Sequence, residues 1–462
     1  MASYVPPSPE QDFTAGRDPA LQFPFELFSD ILLLSIDEDL SVETTIERPL
    51  ALSQVSQNWR SVSLSTPRLW SRLYLTISRS TATRYPSLVE TWLTRSVSCP
   101  LHVELHMAHW QDEKISSMSH SILQAIVQHS DRWQRIVLSL PSTALASLVP
   151  IKGRLAILAE LSLRSRDFPR SALDIFETAP MLRSFESFHF SPLDLSLPWA
   201  QLSTIIAASI SIPQCLEMQR RCPRLQKGAF FLTDSSSQEL DIDIRSLFRS
   251  ITLSPHSVDI NPLLERCTYP QLVYLQIHDL QVSSRTQLPS FLARSPNLQS
   301  LKLNQVALSS SDLVACLQSV PNLVTLELVE YRSGNLFTRD FLVAMMFSPQ
   351  RQSDAGDGDT DHAVSNSSNY LVPHLEHLKI SASPIDSPID SVVLLGPFLT
   401  MVESRCGLGT GTQLTSAHLR LENLNAVYED LGLERAQDVQ KRILKLQHEG
   451  VDVTLGNHSL GV

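Results

Sequence analysis

Most of the residue patterns that announce chemistry are missing from this chain. Its 462 residues include only six cysteines, at 99, 215, 222, 267, 316 and 406, and no two stand in a Cys-x-x-Cys pair. Zinc sites are commonly built on that spacing, so none is expected, and most of the six positions read instead as buried thiols in apolar segments. No apolar run comes near the roughly 18 to 20 residues that a helix needs to cross a bilayer. Basic residues number 37 against 48 acidic ones, giving a net charge of -11, and they are scattered. Such a balance disfavours phosphate backbones and acidic lipid heads, so neither nucleic-acid nor membrane partners are expected. No G-x-S-x-G elbow, P-loop, H-E-x-x-H helix or kinase motif set occurs, and the chain is expected to be neither an enzyme nor a holder of cofactors or metals. The first 20 residues carry Pro6, Pro7, Pro9 and Pro19 with no basic start or apolar core. That is the composition of a disordered tail and not of a secretory leader, so the expected compartment is the cytoplasm, the nucleus or both.

Four local clusters resemble sites and fail on spacing or context. His102, His106 and His109 would share a helical face, but Pro100 to Met107 alternates as a strand, with Leu101, Val103, Leu105 and Met107 inward and the histidines outward. The acidic run from Asp354 to Asp361 resembles a calcium loop, yet counting from Asp357 it has His362 where glycine is needed and Ser368 where a bidentate glutamate is needed. It falls in a Ser-, Asp-, Gly- and Asn-rich stretch from Gln350 to Asn369, expected to be a disordered insertion. Gly407-Leu-Gly-Thr-Gly411 lacks the flanking strand and helix of a phosphate loop. The sequons at Asn366 and Asn457 carry no weight without a leader.

What the chain does have is one short apolar phrase, repeated. It reads Arg-Cys-Pro-Arg-Leu-Gln-Lys at 221 to 227, Tyr-Pro-Gln-Leu-Val-Tyr-Leu-Gln-Ile at 269 to 277 and Ser-Pro-Asn-Leu-Gln-Ser-Leu-Lys-Leu at 295 to 303. Two more copies follow, Val-Pro-Asn-Leu-Val-Thr-Leu-Glu-Leu at 320 to 328 and Val-Pro-His-Leu-Glu-His-Leu-Lys-Ile at 372 to 380. The first leucines, Leu225, Leu272, Leu298, Leu323 and Leu375, are spaced by 47, 26, 25 and 52, the wide gaps being about twice the narrow ones. Phe248, Ile251 and Leu253 fill the first wide gap, and the Gln350 to Asn369 insertion explains the second. Weaker copies at Leu202, Leu182, Leu158 and Trp133 carry the register back to about residue 133, and strands at Ser416 to Leu421 and Gly450 to Leu455 close it. Units of roughly 20 to 29 residues with an L-x-x-L-x-L core are those of leucine-rich repeats.

Within a copy, Leu301 and Leu303 point inward from a strand, as does Leu326 in the next, while Lys302 and Asn304 point outward. Ser310 to Ser319 and Gln287 to Arg294 are expected helices between strands, the first capped by Ser311 or Asp312. Units this small cannot bury their apolar sides alone, so the expected fold is α/β: a curved parallel sheet with outer helices, over 79 to 462.

Residues 21 to 78 are different, a helical bundle. Phe23-Pro24-Phe25-Glu26-Leu27 places proline at a helix's first position with Leu27, Ile31 and Leu34 on one face. A polar connection runs from Asp37 to Arg48. Pro49 to Arg60 then spaces Leu52, Val55, Trp59 and Val62 as a helix, and Thr66-Pro67 is expected to cap a further helix from Arg68 to Leu73. The segment resembles the F-box family: Phe23-Pro24-Phe25-Glu26 stands in the place of its Leu-Pro-x-Glu opening. Leu52-Ser-Gln-Val55-Ser-Gln-Asn-Trp59-Arg60 matches its Leu-x-x-Val-x-x-x-Trp-Arg helix, and Ser65 to Trp70 matches the Ser-Thr-Pro-x-Leu-Trp of many fungal members. Phenylalanine replaces the usual first leucine, and Ser56 the cysteine after the valine.

The resemblance implies a non-catalytic substrate receptor of a Skp-cullin-F-box ubiquitin ligase. Phe23, Pro24, Glu26, Leu27, Ile31, Leu52, Val55, Trp59 and Arg60 would dock a Skp-family adaptor and, through it, a cullin. The repeats would hold an unidentified protein target on outward positions such as Tyr274, Gln276, Lys302, Asn304, Thr325, Glu327, His377 and Lys379. The competing expectation is a plain recognition scaffold whose helical bundle caps the first repeat.

Overall fold

The computed structural model describes residues 23–37, 47–78, 81, 84–107, 113–165, 173–234, 243–280, 286–330, 337–346, 371–382, 388–406, 413–421 and 433–457. The expected tail, most of the connection after Asp37, His109, the insertion from Gln350 to Asn369 with its acidic run, the Gly407 to Gly411 loop and the sequon at Asn366 lie outside them. The chain divides into two compact units, Met1–Leu182 with Asp194–Pro198, and Arg183–Leu193 with Trp199–Val462.

The first unit opens with α1 (Phe25–Asp37), α2 (Glu47–Val55) and α3 (Gln57–Leu64), then a 3-10 turn at Pro67–Trp70. It continues through β1 (Arg72–Ile77), α4 (Tyr85–Arg95), β2 (Leu101–Met107), α5 (Glu113–Gln128), β3 (Trp133–Ser139), α6 (Ser142–Leu145) and β4 (Glu160–Arg164). The four strands pair in chain order, all parallel. Phe28, Leu32 and Ile36 form the buried stripe of α1, and Phe28 meets Trp59 edge-on at 5.1 Å. Trp70 ties the bundle to α4: its indole N–H donates to the Ser63 carbonyl of α3 at 2.9 Å, and its ring packs against Trp92 of α4 at 4.7 Å.

In the second unit follow β5 (Ser184–Phe188), β6 (Thr204–Ser211), α7 (Ile212–Arg221), β7 (Lys227–Asp234), β8 (Ile244–Arg245), β9 (Ser250–Ser254), α8 (Asn261–Arg266) and β10 (Cys267–Thr268). Then come β11 (Tyr274–His278), α9 (Leu288–Ala293), β12 (Ser300–Asn304), α10 (Ser310–Gln318), β13 (Thr325–Val329) and α11 (Arg339–Met345). The last elements are β14 (His377–Ala382), α12 (Pro388–Cys406), β15 (Ser416–Leu421), α13 (Leu433–His448) and β16 (Asp452–Asn457). Ten strands pair in chain order and in parallel, while β8 and β10 form a separate pair. The protein is α/β, with 13 helices among the described residues.

The repeated phrase explains the strands of the second unit. Its inward strand positions pair across neighbours as Gly228, Ile251, Leu275, Leu301, Leu326 and Leu378, and the phrase's first apolar residues, Leu225, Phe248, Leu272, Leu298, Leu323 and Leu375, are buried three positions earlier. Asparagine in the phrase links one copy to another: Asn297 donates to the Pro270 carbonyl at 2.8 Å and Asn322 to the Pro296 carbonyl at 3.1 Å, so each copy bonds to the one before. An edge-to-face aromatic file, Phe230, Phe248, Tyr269 and Phe291, crosses the same neighbours at 6.2, 5.0 and 5.5 Å. Arginines close helix C-termini, where exposed carbonyls attract a cation. Arg405 donates to the carbonyls of Met345, Leu371 and Val372 at 2.8, 2.6 and 3.2 Å, and burial draws its pKa down to about 10.

Five local expectations need correction. Pro24 precedes α1, and its carbonyl accepts from Phe28 N–H at 3.0 Å. The single helix expected over 49 to 60 is two, because Ser56 adopts extended backbone and caps α3 through a bond from Trp59 N–H. Thr66 makes no side-chain cap, donating instead to the Val62 carbonyl at 2.7 Å, and the helix expected to reach Leu73 is one 3-10 turn followed by β1. The cap of α10 is Ser309, which accepts from Asp312 N–H at 3.1 Å. The strand register starts not near 133 but at Trp70, Leu73 and Leu75, all buried, so β1 and β2 belong to it.

Candidate functional site

Two surfaces carry the residues singled out in the sequence, one in each unit. In the first unit, α1 has a second apolar stripe beside its buried one, because Leu27, Ile31 and Leu34 recur at helical spacing about a third of a turn away. They are 55%, 43% and 64% exposed. Phe23, Phe25, Val55 and Leu64 are exposed as well, so among the described residues seven of the 15 exposed large hydrophobics lie between Phe23 and Leu64. Exposed apolar residues are normally scattered singly, so this clustering on one short segment is unusual. Pro24, Glu26 and Arg60 are also exposed and Leu52 is half-buried. Arg60 Nε donates to the Ser53 carbonyl at 3.0 Å, holding α3 to α2. Trp59 is half-buried against Phe28, so it serves the bundle's packing in addition to any contact it makes outward. Phe25, Leu34 and Leu64 were not among the expected docking residues, although the sequence already placed Leu34 on one helical face with Leu27 and Ile31.

In the second unit, β11, β12 and β13 alternate half-buried and buried positions throughout, so Tyr274, Gln276, Lys302, Asn304, Thr325 and Glu327 share the outward face with His377 and Lys379 of β14. They are not separate solvated groups. Glu327 sits between two lysines, accepting from Lys302 Nζ at 3.0 Å and from Lys379 Nζ. Lys302 also lies 5.8 Å from the centre of the Tyr274 ring, whose hydroxyl donates to Gln276 at 2.6 Å. Asn304 Nδ2 lies 3.3 Å from His278 Nδ1, and His377 Nδ1 lies 2.9 Å from Ser416 Oγ. Burial pushes the Glu327 carboxyl up, but the hydrogen bonds from Lys379 and Lys302 outweigh it and hold the pKa below the ordinary value. The bond to Glu327 raises Lys302 in turn.

On β2, His102 bonds Gln134 at 3.0 Å and His106 bonds Glu104 at 2.6 Å, both facing outward. Cys215, Cys222, Cys267 and Cys316 are buried, and burial drives the Cys267 thiol up to about 11 and the Cys222 and Cys316 thiols to about 12, well away from reactive thiolate. Among the described residues no three His, Cys, Asp or Glu side chains converge as metal ligands, and no helix is long and apolar enough to cross a membrane. Neither a model of a known protein family nor a curated protein matches the chain.

Proposed function

We propose that this protein is the substrate-recognition subunit of a Skp-cullin-F-box ubiquitin ligase: α1 to α3 act as an F-box that docks a Skp-family adaptor, and a leucine-rich-repeat solenoid holds the target protein. The observation that carries the reading is the open stripe of Leu27, Ile31 and Leu34 on the helix that resembles the family's opening motif. An exposed apolar stripe is the kind of surface that a partner covers. Parallel strands recurring at the leucine-phrase spacing, with mostly polar residues outward from β11 to β15, support the second module. Function is then proximity: a bound target is held near the ubiquitin-carrying enzyme, which raises effective concentration with no chemistry from this chain.

A plain scaffold is the second reading, favoured by the direct passage from Pro67–Trp70 into β1 and by the burial of Trp70, which suit a bundle that caps the first strand. Co-purification separates the two. A ligase subunit retains a Skp-family adaptor through gel filtration, and a scaffold does not.

A further inference from the structure

Two strands break the alternation that their neighbours keep. β6 carries Ile206 and Ala208 outward beside inward Ile205 and Ala207, and β7 carries Phe231 outward beside inward Phe230. Strands apolar on both faces are normally covered on both. Here Ile206, Ala208 and Phe231 are partly open, and Phe188, two residues beyond the Glu186–Ile206 pair, extends the patch onto β5. The Phe231 ring is already fixed, stacked on His256 at 6.5 Å and 22°.

Further along the same face the charge changes. Outward positions of β11 to β15 hold Lys302, Lys379 and Arg420 against one acid, Glu327, a local net charge of +2 with the histidines neutral, in a chain of -11. Glu327 touches both lysines and can neutralise only one, so a positive charge is held in excess at the middle of the face. Two acids lie at the margins, outside these strand positions: Asp279 is 3.6 Å from His256 and Asp452 is 3.8 Å from His418, so the positive excess is confined to the middle of the face. At about 4.8 Å per strand, the lysines lie roughly 14 to 24 Å from Phe231, a span that about four to seven extended residues cover.

We propose that this face binds an extended acidic segment of the target protein, seating an aromatic or branched aliphatic residue over Phe188, Ala208 and Phe231, and carboxylates about four to seven residues away over Lys302 and Lys379. The proposal rests on the recognition role given above and adds the chemistry of what is recognised. The test is selection of a random dodecapeptide phage library on the full-length protein. The selected peptides are then synthesised and titrated against wild type, Phe231→Ser and the triple variant Lys302→Gln/Glu327→Gln/Lys379→Gln. The triple variant removes the excess charge without leaving an unpaired carboxylate, and circular dichroism verifies that each variant is folded. Expected are peptides pairing an apolar anchor with acids at that spacing, whose affinity falls about tenfold in each variant and also with added salt. Peptides without acidic enrichment, equal affinity for all three proteins, or binding only after phosphorylation overturn it. Adaptor capture is measured in parallel. Capture with no acidic peptide selected overturns this face and leaves the ligase reading standing, whereas acidic peptides without capture support the face and remove the ligase.

Discussion

Leu301, Leu455 and Lys302 offer one sheet three chemically simple truncations that the structure separates by burial. Leu301 is fully buried, and so are its register partners Leu275 and Leu326. Truncation to alanine removes about three carbons at roughly 0.8 kcal/mol each, and strands hydrogen-bonded on both sides cannot close over the gap, so a cavity term is added. The expected cost is about 4 kcal/mol, in the upper part of the usual range for such changes. Leu455 lies on β16, which pairs on one side only with β15 and is partly exposed; Leu455→Ala should cost about half as much, because that site can relax and was never fully desolvated. Lys302→Ala gives up one half-exposed ion pair while Lys379 still serves Glu327, a loss of about 1 kcal/mol or less. Urea titrations followed by circular dichroism read the series as midpoint shifts at constant slope. Equal shifts at Leu301 and Lys302 would refute the inward and outward assignment on which the proposed target-binding face depends.

Two further outcomes follow from single contacts. At Gly228 a Cβ would come within 2.7 Å of both the Phe230 and Phe248 rings, so Gly228→Ala should overpack the aromatic file and lower stability by about 1 to 3 kcal/mol; an unchanged melting temperature would mean that the rings move aside freely. Because the folded pKa of Glu327 lies below its ordinary 4.5, its contribution is present above that value and is lost as pH falls through the lower, folded one. Wild type should therefore exceed Glu327→Gln by about 1 kcal/mol or less near pH 7 and lose that advantage once the pH has fallen below the folded pKa, whereas an advantage unchanged at low pH would contradict the pairing.

The strand pattern of the second unit was open to sequence reasoning because its signal is redundant. Leu272, Leu298 and Leu323 each precede a strand by the same distance, and one copy shows how to read the next. Trp70, Leu73 and Leu75 obey the same spacing, but the Thr-Pro before them mimics a helix cap, and one turn of 3-10 helix has no period by which sequence could tell it from a longer helix. The break at Ser56 was hidden for a related reason: Leu52, Val55, Trp59 and Val62 keep helical spacing across it, since one extended residue that recaps the chain disturbs the pattern little. On the outward face the residue types were legible and their partners were not. Lys302, Glu327 and Lys379 are distant in sequence, and only the parallel register brings them side by side. The apolar outward face of β6 and β7 did have a signal, the doubled Ile205-Ile206 and Phe230-Phe231, which a search for alternation alone passes over.

The central claim is that the stripe on α1 is a docking surface, and calorimetric titration of the purified full-length protein with a Skp-family adaptor tests it most directly. Leu27→Glu/Ile31→Glu is the informative variant, because both side chains are exposed and take little part in the bundle's packing, unlike Trp59. Losing two apolar anchors at about 2 kcal/mol each corresponds to at least several hundredfold in affinity. The account predicts a one-to-one complex with wild type and no measurable binding by the variant, with the circular dichroism spectrum unchanged. A wild-type protein that does not bind the adaptor, or a folded variant that binds it equally well, contradicts the account.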